Sequence, residues 1–99
     1  MLEKEIERKV VNYAKTKDFL AYKFTSPSNR SVPDRLFISP IGGIFFIEFK
    51  RKGKIPTKLQ ESTFKMLTGR GITVEVIDDY EIGKLLIDEH TTRSTSLST

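Results

Sequence analysis

VPDRLFISPIGGIFFIEFK, residues 32–50, is the stretch on which the fold turns. Two runs suited to strands, Arg35 to Ser39 and Gly43 to Lys50, flank Pro40-Ile41-Gly42-Gly43, a turn that predicts a hairpin. Side chains alternate along a strand, so Ile44, Phe46, Glu48 and Lys50 share one face, and Phe45, Ile47 and Phe49 share the other. Both faces begin apolar, which predicts a central strand covered on each side. Glu48 and Lys50 break that pattern at the strand's end. A buried carboxylate without a counter-charge costs on the order of several kcal/mol. Either Lys50 pairs with Glu48, or a cation sits there.

Asp34 favours the cation. It opens the first strand of the hairpin, and an antiparallel turn lays that start beside the end of the second strand. Asp34 and Glu48 should therefore lie side by side. Two carboxylates held close repel, and one protonates unless a positive charge lies between them. Oxygen donors without sulfur or imidazole suit Mg²⁺ or Mn²⁺.

The flanking chain supplies the other layers. Leu2, Ile6, Val10, Tyr13 and Ala14 recur at helical spacing, which predicts a helix over residues 2–17, ended by Asp18. Leu20 to Phe24 reads as a strand and Thr25 to Pro33 as a loop. Thr57 is placed to cap a helix from Lys58 to about Thr68, with Leu59, Thr63, Met66 and Leu67 on one face. Ile72 to Asp78 alternates as a strand. Asp79 is placed to cap a last helix with Ile82, Leu85 and Leu86 inward. Residues 90–99 are mostly Ser and Thr and predict a disordered polar tail after a single domain over residues 1–89. The expected order is α-β-β-β-α-β-α, an α/β fold with a mixed sheet flanked by helices.

The 99 residues carry a net charge of +4 and no cysteine, which excludes thiolate metal sites and disulfides. His90 is the single histidine, so histidine-based hydrolytic chemistry is a poor fit. Lys50, Arg51, Lys52, Lys54 and Lys58 fall within nine residues without an acid among them. That run reads equally as a phosphate-contacting patch or a solvated loop. Tyr22 and Phe24 read as core. Lys23 and Arg35 fit either contact with DNA or a solvated strand edge. The opening MLEKEIERKV is too charged for a secretory signal, and no stretch is long enough to span a membrane, so an intracellular protein is expected.

"VPD", thirteen residues, then "EFK" resembles the PD-(D/E)xK nuclease superfamily. The likeness extends from SPSNRSVPD through EFK and the basic loop to Gln60 and GRGITVEVID, and there it is similar to the VRR-NUC branch. The first helix and the segment after it are similar to the start of Holliday-junction resolvases. The resemblance spans about Leu2 to Ile77. Ser31 departs from it, since the branch often has glycine there.

The resemblance implies a restriction-endonuclease-like fold and a metal-dependent endodeoxyribonuclease. Asp34, Glu48 and the backbone carbonyl of Phe49 would be metal ligands, with Lys50 beside them. It places the family's helical glutamate on Glu7, as a further catalytic residue or ligand, and a glutamine role on Gln60. Arg30, Arg51, Lys52, Lys54 and Lys58 would contact DNA. A homodimer cutting branched DNA such as four-way junctions, in bacterial or phage-infected cytoplasm, is the implied setting. No small-molecule cofactor and no membrane are expected. The alternatives are a nicking or restriction-like nuclease on linear duplex and a non-catalytic nucleic-acid-binding module, in which Glu48 and Lys50 form only an ion pair.

Overall fold

The computed structural model describes residues 1–97, with side chains described as far as residue 91. The element order is the expected one: α1 (Glu3–Thr16), β1 (Leu20–Lys23), β2 (Arg35–Ile38), β3 (Ile44–Phe49), α2 (Lys58–Thr68), β4 (Val74–Ile77) and α3 (Tyr80–Leu97). The four strands form one sheet in the order β1-β2-β3-β4. β1, β2 and β3 run antiparallel in succession, and β4 lies parallel to β3. A parallel neighbour needs a crossover, and α2 is that crossover.

The hairpin turn is closed by the Gly42 N–H donating to the Ser39 carbonyl at 3.0 Å. Gly42 has φ +90°, a left-handed backbone that glycine adopts without a Cβ clash. The turn fixes the register: Ile38 faces Ile44, Phe37 faces Phe45 and Arg35 faces Ile47. A slip of one residue would send Glu48 into the apolar face.

That face carries Phe37, Phe45, Ile47, Phe49 and Ile77, and α1 and α3 cover it with Ile6, Val10, Ala14 and Ile87. Phe37 and Phe45 stack with centroids 5.4 Å apart, and Phe19 meets Phe45 edge-on at 6.3 Å. α1 ends as expected near Asp18, which has φ +64°. The Phe19 N–H donates to the Ala14 carbonyl and the Asp18 N–H to that of Lys15, so the last carbonyls are satisfied and Phe19 is turned into the core. Tyr13 of α1 donates its hydroxyl to Asp88 of α3.

Three expectations need correction. The α3 face that enters the core is Gly83, Ile87 and His90, while Ile82 and Leu85 are exposed and only Leu86 packs partly against the core. Gly83 decides this: a Cβ there would lie 2.5 Å from Val10 Cγ2, so α3 meets α1 through its bare backbone. α3 itself runs on to Leu97, through residues 90–97 of the expected polar tail. His90 is buried and stacks on Phe45 at 3.9 Å, working as an aromatic wedge, and the Thr91 hydroxyl is satisfied by the Ile87 carbonyl. Residues 98–99 of the expected tail lie outside the described residues.

On α2, Thr63 and Phe64 are the buried residues, and Leu59 and Met66 are exposed. Polar partners set that facing, as described below. Finally, the second face of β3 is covered only towards its end: Ile44 is 58% exposed, whereas Glu48 is 3% exposed.

Candidate active site

β2 and β3 deliver the two acids together. Continuing the Arg35–Ile47 register by one pair sets Asp34 opposite Glu48. Pro33, fully buried, precedes Asp34, whose carbonyl accepts from the Phe24 N–H at 2.8 Å. The Asp34 side chain reaches across to β3, where Oδ2 accepts from the Phe49 N–H at 3.0 Å.

Glu48 Oε2 accepts from Gln60 Nε2 at 2.9 Å and lies 3.2 Å from Lys50 Nζ. The ion pair is therefore formed, yet it does not satisfy the acid. Glu48 Oε1 is buried without a partner among the described residues. Burial pushes the Glu48 carboxyl above its ordinary pKa, and the neighbouring Asp34 charge pushes it further, against the pull of Lys50 and Gln60. Burial likewise raises Asp34, opposed by the Phe49 N–H and Lys50 and reinforced by the charges of Glu7 and Glu3. Glu48 thus resists ionisation partly because of Asp34, whereas Asp34 is raised by its burial and by the acids of α1.

Gln60 reaches Glu48 because Thr57 starts α2 with a capping box. Thr57 Oγ1 accepts from the Gln60 N–H, and the Thr57 N–H donates to Gln60 Oε1. The loop before Asp34 docks on the same helix through Ser31, which is buried, hydrogen-bonds the Thr63 hydroxyl and donates to Asn29. Sequence reasoning singled out Ser31 only as a departure from glycine and left out the Ser31–Thr63 link. The visible signal was Thr63 inside an otherwise apolar helix face.

Glu7, the expected helical glutamate, lies on α1 beside Arg35. Its Oε2 accepts from Arg35 Nε at 2.7 Å, so it is engaged in an ion pair and influences Asp34 through charge. Among the described residues no three His, Cys, Asp or Glu side chains group as a metal cage. The donor set on offer is two carboxylates, with one Glu48 oxygen unspent. That suits a hard cation such as Mg²⁺, which binds through one or two carboxylates and keeps its other positions for water and substrate phosphate.

In the basic loop, Lys52 pairs with Asp79 at 3.2 Å, and the Gly53 N–H donates to Asp78. Both contacts fasten the loop to the start of α3, where Asp79 caps the helix through the Glu81 N–H. Arg51, Lys54 and Lys58 are exposed and form no ion pair among the described residues. Arg30 borders a shallow pocket of about 240 Å³ that also reaches Asp34 and Lys23. Tyr22, expected in the core, is 53% exposed, whereas Phe24 packs edge-on against Phe46 at 4.9 Å.

No protein-family profile matches the chain. A solved structure titled "VRR_NUC domain" superposes with a TM-score of 0.80, covering 87% of this chain and 94% of that one at 24% identity. The fold is therefore that of a VRR-NUC domain. A phage protein named "Putative nuclease p44", from Acyrthosiphon pisum secondary endosymbiont phage 1, is 38% identical over 84 residues, which is 85% of this chain and 90% of its own length. The chain belongs to the family of that phage protein and carries the fold of a VRR-NUC domain.

Proposed function

We propose that the protein is a divalent-metal-dependent endodeoxyribonuclease that hydrolyses phosphodiester bonds at Asp34, Glu48 and Lys50. The observation that carries this reading is Glu48 Oε1, a buried carboxylate oxygen without a partner among the described residues, opposite a second acid. A Mg²⁺ or Mn²⁺ ion held by Asp34, Glu48 and the Phe49 carbonyl would polarise the phosphate and acidify the attacking water. Lys50 places a positive charge at the same end of β3, where it stabilises charge developing on the phosphate oxygens. Gln60 holds Glu48 Oε2 and so orients the carboxylate. Arg30, Arg51, Lys52, Lys54 and Lys58 bind backbone phosphates on either side of the acids. Glu7 acts on this site through its charge on Asp34.

The proposal extends to a homodimer acting on branched DNA. A half-covered sheet face supports the dimer: Leu20, Tyr22 and Ile44 lie on the side of the sheet that carries α2, and each is more than half exposed. A two-fold pair of such sites would cut two strands at related positions. One observation favours the rival reading of a binding module, namely that Lys50 already neutralises one oxygen of Glu48.

The decisive experiment pairs Mn²⁺ calorimetry with cleavage assays on four-way junctions, flaps and linear duplex at equal salt. Mn²⁺ binding that disappears in Asp34→Asn, with junctions cut first, is the expected result. Absence of Mn²⁺ binding leaves the binding module. Faster cutting of linear duplex replaces the junction with a restriction-like or nicking substrate.

A further inference from the structure

A second cationic surface lies on the opposite face of the sheet from Glu48 and Lys50. Arg35 and Lys23 are register partners, so they project together from β2 and β1 on the side covered by α1. With Lys4, Arg8 and Lys15 of α1 they border a pocket of about 470 Å³, which Asn12, Val11 and the single acid Glu7 complete. Five cations against one carboxylate make an anion site by charge alone. The one acid is already spent: Glu7 takes Arg35 Nε at 2.7 Å. That bond orients the guanidinium, and its two Nη groups have no protein partner among the described residues. Lys23 also borders the pocket that contains Asp34 and Arg30. The cationic surface therefore reaches Asp34 through Lys23.

We propose that this pocket, built from Arg8, Lys23 and Arg35 with Lys4 and Lys15 at its rim, is a phosphate-binding site for the nucleic-acid backbone next to the scissile bond. Glu7 is the positioning residue that holds Arg35 in place. The inference rests on the proposed nuclease reading for its ligand, since a strand crossing Asp34 must continue somewhere, and Lys23 marks the way. The pocket acts through charge, with no base-reading element, so binding through it is indifferent to sequence.

The test is fluorescence anisotropy with a labelled linear duplex across a salt series in Ca²⁺, using the full chain. Arg8 and Lys23 are exposed, so Arg8→Gln with Lys23→Gln takes two cations from the pocket without touching the core. Neutralising one phosphate-binding cation lowers the slope of log K against log salt by about 0.9, so the double variant should show a slope smaller by about 1.8, equally on two unrelated sequences. Arg51→Gln with Lys54→Gln serves as the parallel variant in the basic loop. An unchanged slope in Arg8→Gln/Lys23→Gln, while the slope of the loop variant falls, overturns the pocket and leaves the nuclease reading standing. A reduced slope in a protein that cuts no DNA at any metal concentration upholds the pocket and overturns the nuclease reading instead.

Discussion

Gln60 donates from Nε2 to Glu48 Oε2 at 2.9 Å while its Oε1 accepts from the Thr57 N–H at 3.0 Å. One side chain therefore closes the start of α2 and holds an acid of the site. The two roles separate by substitution. Gln60→Glu keeps the capping acceptor but sets a second carboxylate against Glu48, whereas Gln60→Ala removes both bonds. The Ala variant should be less stable by about 1–2 kcal/mol at all pH values, from the cap and the hydrogen bond together. The Glu variant should lose stability at neutral pH and regain it as acid protonates the pair. Urea titrations at two pH values distinguish them.

The acidic pair also sets a pH dependence. Asp34 and Glu48 both have raised pKa values in the folded chain. Between the unfolded and folded values the native state holds more protons, so stability falls as pH rises through that window and stays reduced above it. Asp34→Asn removes one charge and its repulsion. It should melt higher than the parent protein near neutral pH and show a flatter slope on the acid side. Mn²⁺ at about a hundred times its dissociation constant should add about 2.7 kcal/mol to the parent, and much less to Asp34→Asn. Thermal melts with and without EDTA make both comparisons without an activity assay.

Much of this site is legible in the sequence, and the reasons are local. The Gly42 turn and the alternation of Ile44 to Lys50 fix register and face, so the meeting of Asp34 with Glu48 follows from spacing alone. Helix facing is less legible. In α3 the apolar side chains Ile82 and Leu85 point to one face, but the close approach of Gly83 to Val10 turns another inward. In α2 the facing comes from hydrogen bonds of Gln60 and Thr63, which a hydrophobic stripe does not report. Helical spacing locates Glu7 on α1, but its partner is Arg35, twenty-eight residues away, and only the packed structure brings the two together.

Lys50 lies 3.2 Å from Glu48, so its role in turnover can be confused with one in holding the acid. Lys50→Met keeps the aliphatic stem and removes the charge. If Lys50 stabilises the developing phosphate charge, cleavage should fall about 10²- to 10³-fold with Mn²⁺ affinity largely kept. Single-turnover cleavage and calorimetry on the same variant test this. A Lys50→Met protein that cuts normally would remove Lys50 from the reaction.

Gly83 offers a prediction about the scaffold rather than the site. A Cβ there would meet Val10 Cγ2 at 2.5 Å, while Ile77 Cγ2 would be at an ordinary 3.6 Å. Helix propensity favours Ala over Gly by about 0.8–1 kcal/mol, but forcing an extra carbon into a packed interior costs about 1–3 kcal/mol. The packing cost should win, so Gly83→Ala should be destabilised despite being the better helix former. Val10→Ala alone should also be destabilised, by opening a cavity in the core. Combined, the two changes exchange a clash for the space that relieves it. The double variant should therefore be more stable than the sum of the single losses, by about 0.5–3 kcal/mol of coupling in chemical denaturation. Additive losses would mean that α1 and α3 can separate at this point without cost, and that Gly83 does not set the facing of α3.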